Sequence, residues 1–134
     1  MNKTFRRSAV TANIGENRLL ISLYGVLSKK DVETIYTDIR FCVSDLKPGF
    51  GVITDLTGCR FGHLSGIPTY KKIMDFLVSQ KVGKIVRVVG RAKLILCQLE
   101  RLSGSKDGYT THYVTSLAEA EELLSHPAGD RSAA

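Results

Sequence analysis

The sequence predicts an α/β domain with a mixed, mostly parallel central sheet and helices packed on it. Three observations carry this. Short β-branched or alternating apolar runs take turns with helical stripes in the order β-β-α-β-α-β-α-β-α, and such alternation implies βαβ units. The length of 134 residues suits one domain. An apolar content of 43% against 24% charged residues is that of a chain that buries a core, which excludes disorder for its body.

The elements follow in order. Ser8–Ile14 and Arg18–Val26 are two strands joined by the turn Gly15-Glu16-Asn17, a hairpin that makes the sheet mixed. In the second, Leu19, Ile21 and Leu23 alternate with Leu20, Ser22 and Tyr24. Ser28, with Asp31 three residues on, approximates a capping box. Val32, Ile35, Ile39, Val43 and Leu46 then form one apolar stripe, and Lys47-Pro48-Gly49 stops the helix. Gly49-Phe50-Gly51 precedes a strand instead of opening a helix, so it is a bend and not a phosphate cradle. Phe50–Leu56 is a strand whose adjacent Val52 and Ile53 point to burial on both faces. Thr57–Leu64 is expected to be a loop.

Ser65-Gly66-Ile67-Pro68 opens the second helix, with Ser65 suited to the N-cap and Pro68 to the first turn. Ile67, Tyr70, Met74 and Leu77 are its expected inner face, and Gly83 its stop. Lys84–Val89 is a short strand and Arg91–Leu102 a third helix. Ser103–Gly108 is a loop, Tyr109–Val114 the last strand, and Ser116–Glu119 a capping box that opens a final helix to about Leu124. The core spans about residues 5–125, and the tail from His126 frays. Right-handed crossovers place the turns after Leu56 and after Val89 at the carboxyl edge of the parallel strands, where sites in open α/β sheets tend to lie.

Composition excludes some functions. No apolar run approaches the ~20 residues of a membrane-spanning helix. Met1–Val10 carries Lys3, Arg6 and Arg7 with no apolar stretch after them, which predicts no secretory signal. Cys42, Cys59 and Cys97 are odd in number and unpaired in spacing, the pattern of reduced cytoplasmic thiols. His63, His112 and His126 are too scattered for metal ligation, and no nucleotide-binding glycine motif is present, so neither metal nor cofactor is expected. Nineteen Lys and Arg against thirteen Asp and Glu give a net charge of +6. Residues 71–106 and the N-terminal segment hold most of the excess, while 107–134 is net acidic. Without interleaved aromatics or a binding motif, this pattern argues against nucleic acid and fits a solvated helix surface or a docking face.

The stretch Asp55-Leu56-Thr57-Gly58-Cys59-Arg60-Phe61, followed by Ser65-Gly66-Ile67 and a helix, resembles the central signature of STAS domains, the sulfate transporter and anti-sigma-factor antagonist domains. Residues 80–90 resemble the family's next helix end and strand, and residues 116–124 its closing helix. The resemblance spans about Arg18–Leu124 and implies a single STAS-like domain over residues 1–134. In anti-sigma-factor antagonists a loop Asp precedes a Ser that a partner kinase phosphorylates. Aligned on Phe61 and Gly66, that Asp falls at His63 and that Ser at Leu64, which has no hydroxyl. Ser65, one residue on, is a candidate phosphoacceptor only if the register shifts, and it equally suits an N-cap.

The resemblance implies a non-enzymatic, cytoplasmic, regulatory protein-interaction module lacking the usual serine phosphoswitch. Its partner would be a kinase, an anti-sigma factor or a signalling assembly, and a homodimer is open. The implied partner surface is Gly58, Cys59, Arg60, Phe61, His63, Leu64, Ser65, Gly66 and Tyr70, with Asp55 organising the loop. Two other classes stay open. One is small-molecule or lipid binding in an apolar pocket between helices and sheet. The other is thiol or hydrolytic chemistry at Cys59 with His63 as base, for which the sequence shows neither a held geometry nor an oxyanion site.

Overall fold

The computed structural model describes residues 8–61, 67–90 and 110–125, with the backbone alone for 59–61, 67–70 and 110. The elements are β1 (Ala9–Asn13), β2 (Arg18–Leu27), α1 (Lys29–Val43), β3 (Gly51–Phe61), α2 (Ile67–Ser79), β4 (Lys84–Val88), β5 (Thr110–Val114) and α3 (Leu117–Ser125). The strands form one five-stranded sheet in the order β1-β2-β3-β4-β5. β1 runs antiparallel to β2, and every other pair is parallel. This is the mixed, mostly parallel sheet that the element order predicts. The predicted helix Arg91–Leu102 and the tail from His126 lie outside the described residues.

Each helix forms for a local reason and buries one stripe. Ser28 accepts from the Asp31 N–H at 3.1 Å, and the Asp31 carboxylate accepts from the Ser28 N–H at 2.9 Å, closing the predicted capping box. Val32, Ile35, Ile39 and Val43 are the buried stripe of α1. α2 packs beside it, with the Tyr36 and Phe76 rings edge to face at 6.2 Å between centroids. Arg40 and Lys72 each hold a cation over the Tyr36 ring, at 5.5 and 5.6 Å. The buried stripe of α2 is Ile73 and Leu77, with Met74 half-buried beside them, so Met74 and Leu77 face inward as predicted and Ile73 joins them, while the side chains of Ile67 and Tyr70 lie outside the described residues. Ile73 packs with Val52 and Ile85 of the sheet in the same core.

The sheet has a core on each face. Val52 joins Leu19, Ile21, Ile85 and the α1 and α2 stripes on one face. Its neighbour Ile53 joins Val86, Val88 and Ala120 of α3 on the other. That is why adjacent β-branched residues recur in β3 and β4. α3 begins at Ser116, whose hydroxyl accepts from the Glu119 N–H, while Glu119 reaches back to the N–H and hydroxyl of Thr115. At its other end, Lys84 donates to the Leu123 carbonyl at 3.1 Å and Arg18 to the Ser125 hydroxyl at 3.1 Å.

Candidate functional site

The geometry of the carboxyl edge begins at Asp55. β4 pairs with β3 only as far as Asp55 opposite Val88. β3 nevertheless continues to Phe61, so the expected loop at Thr57 is strand. The reason lies on the other side of β3. β2 also runs on, and Tyr24, Gly25, Val26 and Leu27 register with Gly58, Cys59, Arg60 and Phe61. The two strands leave the sheet as a parallel two-stranded ribbon.

A register shift marks the departure. β2 advances two residues from Ser22 to Tyr24 while β3 advances three from Asp55 to Gly58, the extra residue of a β-bulge. The Asp55 side chain is bound to this bulge: Oδ1 accepts from the Thr57 N–H at 3.0 Å and from its hydroxyl at 2.7 Å. A carboxylate that takes a backbone donor two residues on is an Asx turn, and here it serves a donor that the shifted ladder leaves over. The residue types Asp-Leu-Thr-Gly therefore have local reasons. Asp55 and Thr57 hold the bulge, and Gly58 admits the Tyr24 ring, since a β-carbon there would lie 2.4 Å from Cδ1 and Cε1 of that ring.

Tyr24 and Val26 are the site residues that sequence reasoning missed. They are 39% and 65% exposed, beside a strand that is otherwise well buried. Gly25, at φ +82°, separates them. A glycine inside an apolar run was the available signal, because it marks a bend in a strand. Of the residues that the resemblance implies, the structure brings Gly58, Cys59, Arg60 and Phe61 into the ribbon and puts Tyr70 in the first turns of α2. His63, Leu64, Ser65 and Gly66 lie outside the described residues.

Several cations of the basic run have local tasks that keep them from forming one face. Arg87 is half-buried and donates to the Tyr113 hydroxyl at 2.9 Å, with its guanidinium 5.7 Å from that ring's centroid. Lys71 pairs with Asp75, Lys72 covers Tyr36, and Lys84 caps α3. Arg91, Lys93, Arg101 and Lys106 lie outside the described residues. Among the described residues, no three His, Cys, Asp or Glu side chains gather as a metal site, and no helix is long and apolar enough to cross a membrane.

This arrangement of strands and helices is similar to that of an uncharacterized protein of the DUF3478 family with a SpoIIAA-like fold from Shewanella loihica PV-4. The two agree with a TM-score of 0.69 at 12% sequence identity, over 92% of this chain and 98% of that one. No family profile and no curated protein matches the sequence. At that identity the likeness concerns the fold. The chain has a SpoIIAA-like, STAS-like α/β fold, as the sequence resemblance implied.

Proposed function

We propose that the protein is a non-enzymatic regulatory module that binds a protein partner at the carboxyl edge of its sheet, in the manner of an anti-sigma-factor antagonist. The observation that carries this reading is the ribbon: β2 and β3 extend together past β4 and present Tyr24 and Val26 to solvent next to Gly58–Phe61. Exposed apolar side chains on a rigid, hydrogen-bonded support suit recognition. The partner surface then comprises Gly58, Cys59, Arg60, Phe61, His63, Leu64, Ser65, Gly66 and Tyr70, joined by Tyr24 and Val26. With Leu64 at the phosphoacceptor position, binding is constitutive or gated by other means. The SpoIIAA-like fold supports the comparison with regulatory domains.

The test is affinity capture from the source cell with wild type, Leu64→Asp and Val26→Asp, under conditions where all three give the same melting temperature. A partner held by wild type and lost by both variants is the expected result. The same partners captured by all three would remove this surface from consideration.

A further inference from the structure

We propose that the free edge of β1 accepts an extended, basic peptide segment of another protein as a sixth strand, guided by the carboxylates of Asp38 on α1 and Asp45 just past its end. The surface is separate from the ribbon and stands on its own observations. β1, Ala9-Val10-Thr11-Ala12-Asn13, is the end strand of the sheet and pairs with β2 on one side. Among the described residues nothing pairs with its other side. The backbone groups of such an edge are a template for a further strand. Natural edges are usually blunted by Lys, Pro or a bulge. β1 has none of these, and its five residues pair with β2 in unbroken register.

The flank of α1 that overhangs this edge is acidic. Asp38 and Cys42 lie one turn apart on α1, and Asp45 follows three residues on in the turn just past the helix end, its N–H donating to the Cys42 carbonyl at 3.2 Å. Cys42 fixes which side: its thiol lies 3.7 Å from the Val10 carbonyl of β1. Burial first, and then the charges of Asp38 and Asp45, raise the Cys42 thiol above its ordinary value, in keeping with two carboxylates near that thiol. Both are exposed, and neither has an ion pair among the described residues.

Charge decides between occupants. A second copy joined through β1 in antiparallel fashion would bring the same acidic flank of α1 together about the twofold, carboxylates against carboxylates. A strand with Lys or Arg at alternate positions meets them with opposite charge. Asp38 and Asp45 are seven residues apart, roughly 10 Å along the end of α1 and the turn that continues it. Alternate residues of a strand are roughly 6.6 Å apart, so two or three successive basic side chains on one face of the added strand span both carboxylates.

Fluorescence anisotropy with a labelled short peptide alternating Lys and Thr tests this at low salt. We expect binding that Asp38→Asn with Asp45→Asn weakens roughly tenfold, the size of two exposed charge pairs. Replacing the peptide's Lys by Glu, or methylating its alternate backbone nitrogens on either register, should abolish it. Hydrogen exchange of the full chain should show β1 amides protected on peptide addition. No binding, binding indifferent to the two substitutions or to backbone methylation, or β1 protection that instead rises with the chain's own concentration would each overturn the proposal. The last would assign the edge to a second copy. Both aspartates are exposed, so the double variant keeps its fold, and an unchanged melting temperature verifies this.

Discussion

The Tyr24 ring lies across Gly58 on the neighbouring strand, so close that a β-carbon at position 58 would stand 2.4 Å from two ring carbons. The two residues are register partners immediately after the bulge. A ring that covers a strand glycine shields the backbone that the missing side chain exposes. Gly58→Ala should therefore displace Tyr24 and cost about 1 kcal/mol, the low end for an overpacked position because the ring is 39% exposed and can swing outward. In a Tyr24→Ala background the same substitution should be nearly neutral. Urea unfolding of the four chains in the cycle checks this, and equal costs in both backgrounds would refute the contact.

The bulge makes a second prediction. Asp55 Oδ1 accepts from both the N–H and the hydroxyl of Thr57. Asp55→Ala leaves that N–H without its acceptor and should lower stability by about 1–2 kcal/mol. Asp55→Asn keeps a carbonyl oxygen in place and should cost less than half of that. Denaturation midpoints of the two variants separate these outcomes. If Ala and Asn cost the same, the charge of Asp55 matters and its role as a local acceptor does not.

The contrast between these residues shows what was legible beforehand. The sheet, its hairpin and the two-sided burial of Val52 and Ile53 follow from runs of adjacent residues, which periodicity reports well. The cap of α1 was legible because Ser28 and Asp31 answer each other within one turn. The length of β3 was not. Thr57 and Gly58 favour turns by type, and what holds them in a strand is β2, more than thirty residues earlier in the chain. The role of Tyr24 was hidden for the same reason, since its partner is set by register and not by neighbours.

The capping box of α1 makes stability depend on acid. The Ser28 backbone N–H, and then its side chain, hold the Asp31 carboxyl below its ordinary value of 3.8. A carboxylate depressed in the folded state stabilises fully above the unfolded value, and that contribution disappears as pH falls through the folded one. Ser28→Ala should cost about 1 kcal/mol at neutral pH. The stability gap between wild type and Asp31→Asn should be widest above pH 4 and narrow steadily below 3.8. Urea unfolding across that range measures the gap. A gap that stays constant through the acid limb would mean that the charged form of Asp31 contributes nothing.

The end of α2 yields the last prediction, because the residue that turns the chain is not the glycine. Lys81 takes the left-handed conformation, at φ +67°. The Val82 N–H donates to the Leu77 carbonyl at 3.1 Å and the Lys81 N–H to the Val78 carbonyl at 3.0 Å, the two bonds of a Schellman motif with Lys81 at the position usually held by glycine. Buried Val82 and Leu77 supply its apolar contact. Gly83, which the sequence marks as the stop, is needed for another reason: a β-carbon there would come within 2.7 Å of the Gly49 carbonyl oxygen, on a segment that Gly83 itself joins by donating to Phe50. A left-handed residue with a β-carbon costs roughly 1 kcal/mol or more. Lys81→Gly should therefore raise stability by about 0.5–1 kcal/mol, after the greater freedom of glycine in the unfolded chain is allowed for. Lys81→Val should lower it, and Gly83→Ala should lower it further, because backbone yields less readily than a side chain. Thermal unfolding of the three variants ranks them. Stabilisation by Gly83→Ala, or a loss on Lys81→Gly, would mean that the chain turns at 83 after all.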